Sequence, residues 1–370
     1  PEAEEVVEIE AAVEDEGGLS GEIVVSVLSN DVQTYQALAD AYMELNPDVR
    51  VWGERQADGG GGGPDADLPW VRTPFAAEEP RVSIIESVHL RDLAQEGRLV
   101  NWAPYLNKVN PYTGEKWEES FEDWALNLVR DPNTGEMFLM PYESVQTFWV
   151  YNKAIFDEVG ITDVPAQPTW DQLVEWSEKI RDAGYIPIAM EGTTEQIWGG
   201  GRMPWLMRSA MDQYHRDDLQ IIRCQEGDWC YREGIDDVWE YDPTDVRNDD
   251  PDRVSINIAR HLTALRDGDL DFDNECTVEM MEEIGRVFKT EHGFVPEGWT
   301  GMSDAYPLFL TQQAAMRMVT GGHYTSFPRD VAALAEGEYG DGEVADEDSA
   351  AATEFEYGRF AFPNIEGDCV

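Results

Sequence analysis

Positive charge is what this 370-residue chain has least of. Its 26 lysines and arginines stand against 76 aspartates and glutamates, a formal net charge of −50 and a pI near 4.1. A chain this acidic repels phosphate backbones and anionic headgroups, which argues against nucleic acid and acidic membrane as partners. The same charge keeps a protein soluble and suits a salty habitat, but it says nothing of fold or ligand. Long apolar runs are missing as well: no stretch approaches the ~20 consecutive apolar residues of a membrane span, and no basic-then-apolar segment opens the sequence. The acidic start, "PEAEEVVEIEAAVEDEGG", reads as a tether over residues 1–20 ahead of the first strand, as expected of an exported chain that has lost its signal, or of a fragment.

Catalytic signatures are equally scarce. The five histidines, His89, His215, His261, His292 and His323, are scattered without metal-ligand spacing and read as surface or structural residues. "GLSG" lacks the glycine spacing of a nucleophile elbow, and the five glycines at 59–63 lack the Gly-Lys-Ser/Thr ending of a phosphate cradle, so they form a flexible loop. The run "DGDLDFDNE" from Asp267 alternates aspartates like a calcium loop. Phe272 and Val278 occupy the positions where glycine and glutamate are needed, so it reads as a solvated acidic turn. Among the four cysteines, Cys224 and Cys230 lie six apart in a polar loop, where a disulfide suits an oxidising compartment and two free thiols are the alternative. Cys276 and Cys369 are too distant in sequence to pair by inspection. No cofactor and no metal site is expected.

What is present reads as α/β. "EIVVSVL" is β-rich, and the helical pattern after it repeats Val32, Tyr35, Leu38, Tyr42 and Leu45 before Pro47, ahead of a second strand in "VRVWG". A strand-helix-strand unit of this kind builds a parallel sheet. "RVSIIES" resumes the sheet and "LRDLAQEGRL" the helices. From Thr169, "TWDQLVEWSEKIRDAG" has a capping box with Gln172, a face of Leu173, Trp176 or Ser177 and Ile180, and a stop at Gly184; "YIPIAM" follows as a buried strand. Residues 216–252 are acidic and loop-rich. Helical patterns return at "VSINIARHLTALRDG" and "VEMMEEIGRVF", and "AYPLFLTQQAAM" leads into a strand "RMVT" and a turn "GGHY". Many of the 13 tryptophans and 14 tyrosines fall in Gly- and Pro-rich loops. Each ring alone is more often packing, but aromatic faces in loops can stack on sugar rings while carboxylates and amides bind the hydroxyls.

The stretch "FWVYNKAIFDEVGITDVPAQPTWDQLVEWSEKIRDAGYIPIAM" resembles the carbohydrate-type (family 1) extracellular solute-binding proteins of bacterial ABC importers. Tyr151, Asn152, Lys153, Phe156, Gly160, Ile161, Pro168, Thr169, Trp170, Leu173 and Gly184 fall on that family's pattern in order. A second block, "LFLTQQAAMRMVTGGHY", is similar to the family's F-x-x-G-x-A-A-M block with its glycine turn and aromatic. It has glutamine where glycine is usual and Tyr324 or His323 at the aromatic position.

The resemblance implies a periplasmic-binding-protein-like fold of class II type, two α/β lobes joined by a hinge and closing over a ligand. The first lobe would take residues 21–148 and the second 149–370. The final return to the first lobe would follow "FPNIEG", beyond Val370, leaving the first lobe unfinished. Ligands of open α/β sheets lie beyond the carboxyl ends of strands, which selects Ser29 and Asn30 after "VVSVL" and Glu86 after "VSII". The resemblance adds Tyr142 and Glu143 in "MPYES", and Gln196 and Trp198 after "IPIAM". Trp299, His323 and Tyr324 complete the set as aromatic or polar faces. Lys153 reads as a local anchor rather than a ligand contact.

The implied protein is a non-enzymatic, extracytoplasmic component of a sugar importer. Its expected partners are a carbohydrate and the ABC permease, and it is expected to be a monomer when complete and to be lipid-anchored or free. The competing readings are a two-carboxylate carbohydrate hydrolase, whose signal is lost among 76 acids, and a surface binding protein without a transport role.

Overall fold

The computed structural model describes residues 19–27, 32–55, 82–83, 91–131, 134–141, 146–190, 202–245, 247–296, 302–337, 350–367 and 369–370. The chain forms two compact units, Pro1–Pro141 and Tyr142–Val370. The boundary expected at 148/149 falls inside a strand that belongs wholly to the second unit.

In the first unit, β1 (Gly21–Val27), α1 (Val32–Leu45) and β2 (Val49–Arg55) form the expected parallel unit, with Gly21 opposite Val49 and Val27 opposite Arg55. The short β3 (Val82–Ser83) pairs with the other side of β1, giving the order β2-β1-β3. Ala39 of α1 is buried against Val49 and Val51, with Val25, Tyr42 and Met43 packed around them. Leu38 and Leu45, expected on the inner stripe, are 61% and 65% exposed. The helix presents its small residue to the sheet, which lets the two backbones approach and rotates both leucines outward. Beyond α2 (Arg91–Gln95), with Leu93 buried, lies a separate core of Leu106, Leu126 and Met137, walled by Trp102, Trp117 and Phe121. Leu126 comes from α3 (Asp123–Val129).

The second unit opens with β4 (Thr147–Asn152) and α4 (Lys153–Glu158). Buried Asn152 ends the strand and caps the helix, its Oδ1 accepting from the N–H groups of Ala154 and Ile155 at 2.9 and 3.2 Å. Gly160, at φ 77°, supplies the left-handed stop. Lys153 pairs with a carboxylate, as expected, at 3.5 Å; the partner is exposed Glu356, 203 residues further along the chain. In α5 (Trp170–Asp182) Thr169 and Gln172 make the reciprocal capping box, and Leu173, Trp176, Ser177 and Ile180 are all buried. After β5 (Ile186–Ile188) come α6 (Arg202–His215), α7 (Ile258–Asp267), α8 (Glu275–Phe288), α9 (Met302–Leu310), β6 (Ala314–Thr320), α10 (Gly321–Ala335) and β7 (Tyr357–Phe360).

The four strands lie in the order β5-β6-β4-β7, with β5 and β6 parallel and β4 antiparallel to both of its neighbours. Trp149, Met316, Met318 and Phe360 bury one face in a core shared with Phe156, Trp170, Trp176, Leu206 and Ile284. Val150 and Val319 bury the other among Phe309, Leu310, Phe327, Val331 and Leu334. Burial on both faces explains why six consecutive residues of β6, Ala314 to Val319, are buried.

Two local readings are corrected. The helix before β6 stops at Leu310 and turns at Thr311–Gln313, with Gln312 at φ 60°, so "AAM" is strand rather than helix end. "GGHY" is the first turn of α10 instead of a free turn, its Gly321 N–H donating to the Gln146 carbonyl at 3.1 Å. Both errors come from local propensity overruled by the strand pairing of β6 with β4. Among the described residues, no helix is long and apolar enough to cross a membrane.

Both cysteine pairs are disulfides. Cys224–Cys230 closes the expected small loop, and Cys276–Cys369 joins the start of α8 to the end of the chain across 93 residues. A cross-link over so many residues removes much unfolded-chain entropy. Cys369→Ser is expected to lower unfolding free energy by about 2–5 kcal/mol, and Cys224→Ser by less because its loop is shorter. Urea denaturation under non-reducing conditions measures both, and equal losses would show that loop length does not govern the effect.

Candidate functional site

The register of the second sheet assigns its ends. Since β5 and β6 are parallel and β4 runs against β6, with Thr147 opposite Thr320, the carboxyl ends of β5 and β6 meet the amino end of β4. Residues 142–145 enter β4 there, residues 191–201 follow β5 shortly after Met190, and α10 begins there. The Gly321–Gln146 hydrogen bond ties two of these roots together. Helix α9 runs back along β6 from the Thr311–Gln313 turn, and its Tyr306 ring lies 4.8 Å from the Arg317 guanidinium. Its amino end, reached through residues 297–301, therefore points the same way. In the first unit, β3 lies on the opposite side of β1 from β2. The carboxyl ends of β1 and β3, which lead into residues 28–31 and 84–90, thus flank a topological switch point of that sheet.

Most residues selected from the sequence belong to those segments. Ser29, Asn30, Glu86, Tyr142, Glu143, Gln196, Trp198 and Trp299 lie outside the described residues, as does the side chain of His323. Tyr324 is described. Its ring packs edge-on against Phe148 and Tyr357, both with centroids 5.4 Å away, and the Arg359 guanidinium sits 5.7 Å from its centre. The ring thus helps to join α10 to β4 and β7. Burial pushes the Tyr357 hydroxyl pKa above its ordinary value, and Tyr324 adds to the shift.

One group of potential metal ligands stands out among the described residues: Cys224, Asp228 and Cys230, with atoms within 4.8 Å of one another. Both sulfurs are consumed in the disulfide, and Asp228 is committed to Arg260, so the donor set does not suit a metal. The acidic run after Asp267 is spent on local structure, as expected of a solvated turn: Asp271 accepts from the Asp273 N–H at 2.8 Å, and Asn274 caps α8. A feature that sequence reasoning missed is an open depression of about 710 Å³ in the loop-rich stretch, lined by Val238, Trp239, Tyr241, Asp242 and Arg253 among others. Trp239 Nε1 already donates to the Asn248 carbonyl at 2.9 Å, and buried Asn248 in turn holds the Asp242 backbone. The aromatic pair in "WEYDP" was the only signal that could have marked it.

Residues 27–214 match the family model of the bacterial extracellular solute-binding proteins. No curated protein matches the chain. Among solved structures, the chain is similar to maltose-bound MalE3 of T. maritima (14% identity, TM-score 0.54, covering 93% of this chain and 68% of that one). It is also similar to a chitin oligosaccharide binding protein (16%, 0.55, 95% and 69%) and to apo RafE from Streptococcus pneumoniae (14%, 0.53, 95% and 70%). At these identities the likeness is one of fold.

In the loop-rich stretch itself, the Asp228–Arg260 pair beside the first disulfide is a clear electrostatic feature. Arg260 Nη2 donates to Asp228 Oδ1 at 3.0 Å and Nε donates to Oδ2; the Gln225 N–H adds a bond at 2.9 Å. These bonds, Arg260 first, hold the carboxyl at about 2 against an ordinary 3.8. A lowered folded pKa means the pair stabilises the fold above the unfolded value and loses that contribution as pH falls from about 4 towards 2. Arg260→Met is expected to return the Asp228 titration towards its ordinary value and to flatten the stability change across that window. Carboxyl NMR titration with urea denaturation reads both, and an unmoved Asp228 titration would rule out Arg260 as the cause.

Proposed function

Because the chain belongs to the bacterial extracellular solute-binding protein family, we propose that it captures a mono- or oligosaccharide outside the cytoplasmic membrane and delivers it to the permease of an ABC importer. The observation that carries the sugar assignment is the gathering of four segment roots at one end of the β5-β6-β4 sheet. Those segments hold Tyr142, Glu143, Gln196, Trp198, Trp299 and the start of α10. The set combines stacking faces with amide and carboxylate acceptors, the pairing a pyranose needs, since its C–H face is apolar and its rim is hydroxyl. Solved structures with this fold include one described as maltose-bound and one described as a complex with raffinose.

Asn30 and Glu86, in the segments that follow β1 and β3, offer an amide and a carboxylate suited to sugar hydroxyls. The two disulfides suit the oxidising side of the membrane. The protein works as a monomer without a cofactor, held at the cell surface by lipid or free in the periplasm.

A thermal-shift panel of maltose, raffinose and chitin oligosaccharides, set against peptides and polyols, tests this reading. One sugar is expected to raise the melting temperature, since a ligand at 100 times its Kd stabilises the native state by about 2.7 kcal/mol. No shift with any sugar, or a shift with peptides alone, overturns the carbohydrate assignment. Trp198→Ala is expected to weaken binding of that sugar by about 1–3 kcal/mol in calorimetry; unchanged affinity removes the ring from the site.

A further inference from the structure

The middle of β6 carries an arginine where its neighbours are alanine, methionine and valine. Arg317 is 1% exposed and lies opposite Val150 of β4, on the same face as Val319. Its Nη1 donates to the Ala189 carbonyl at 3.2 Å, one residue beyond β5, and its guanidinium lies against the Tyr306 ring of α9. The Tyr306 hydroxyl donates to Asp330 Oδ2 of α10 at 2.9 Å, and Ser326 donates to the same oxygen at 2.6 Å. Arg329 holds the other oxygen from Nε and Nη2 at 3.1 and 3.0 Å. Tyr306 and Asp330 are 5% and 8% exposed. One buried chain of contacts thus runs from the end of β5 through β6 and α9 into α10.

Packing alone does not call for an arginine here. A methionine of similar length would fill the space without desolvating a charge, at the loss of the Ala189 hydrogen bond. What a guanidinium adds is direction: planar donors that hold one carbonyl, and a cation that holds one ring face. The elements held in this way are the ones whose ends carry residues 191–201, residues 297–301 and the first turn of α10.

We propose that Arg317, acting through Tyr306 and Asp330, is a positioning residue that fixes the geometry of the sugar-binding end without touching the sugar. The proposal rests on the sugar-binding reading above. It assigns affinity to a buried polar chain among the elements that carry those segments, because a site held in its bound geometry loses less entropy on binding.

The test compares Arg317→Met, Arg317→Lys and Val150→Ala in the full chain. The probe is whichever of maltose, raffinose and chitin oligosaccharides most raises the wild-type melting temperature; calorimetry gives Kd and urea denaturation gives stability. Arg317→Met is expected to raise Kd at least about tenfold. Arg317→Lys, which keeps a cation over Tyr306, is expected to recover most of that loss. Val150→Ala, a cavity on the same face, is expected to lower stability while leaving Kd within about twofold. Wild-type affinity in Arg317→Met, or an equal loss in Val150→Ala, overturns the proposal. If Arg317→Met does not fold, Tyr306→Phe takes its place, since it keeps the ring and removes the hydroxyl that links it to Asp330. A raised Kd then supports the proposal and an unchanged one overturns it. A wild-type chain that binds none of the three sugars overturns the sugar-binding reading itself, and this inference with it.

Discussion

The antiparallel pairing of β4 with β6 is the constraint on which the second unit depends. The two strands lie far apart in sequence, and their register brings Thr147 against Thr320 and Tyr151 against Met316. That register places the entry to β4, the exit from β6 and the first turn of α10 at one end of the sheet. It also sets Asn152 at the other end, where its Oδ1 caps α4 and its Nδ2 reaches Gln312 in the turn before β6 at 3.4 Å. A slip of β4 by one residue would carry Trp149 into the core that now holds Val150 and Arg317, and Val150 into the core that holds Met318. Because both faces are packed, what the register fixes is which core receives each of the four side chains.

A chain with this excess of acid manages its charge locally. Carboxylates cap their own loops, as Asp242 does for the Thr244 N–H at 2.9 Å and buried Asp236 does for the N–H groups of Arg232 and Ser255. The few cations are shared among acids: Arg286 serves both Asp171 and Glu283 at 2.6 Å, joining α5 to α8. Exposed pairs of this kind contribute little individually, and the two disulfides supply constraint that does not depend on charge or salt. The loop-rich stretch after Arg216 keeps its shape by these means, with Asp236 and Asn248 as its buried polar centres.

Local signals in the sequence were reliable where a side chain bonds its own backbone. Thr169 with Gln172, Gly160 as a stop and Pro47 after α1 are short-range chemistry, and each holds in the structure. The Cys224–Cys230 loop was legible for the same reason. The failures lie where a distant partner decides. "GGHY" looked like a turn because two glycines are poor helix formers, yet the position of Gln146 beside β6 makes it a helix start. Cys276 and Cys369 could not be paired by eye because no rule of spacing spans 93 residues. Leu38 and Leu45 fit an apolar stripe, but the sheet selected Ala39 instead.

The site divides along the same line. The residue types proposed for it, aromatic rings beside amides and carboxylates in segments after strands, were chosen from the sequence and from the family pattern around Tyr151, Asn152 and Lys153. That Tyr324 joins Phe148 and Tyr357, and that Arg317 ties Ala189 to Tyr306, could not be read, because these contacts cross between strands and helices that only the sheet register brings together. Caps, stops and charge follow from neighbours along the chain, and the α/β plan from its patterns and the family resemblance. Which face of each element is buried, and which element ends share one edge of the sheet, follow from contacts between residues far apart in the chain. Burial and strand pairing are sums over distant residues, whereas a cap needs only its neighbours.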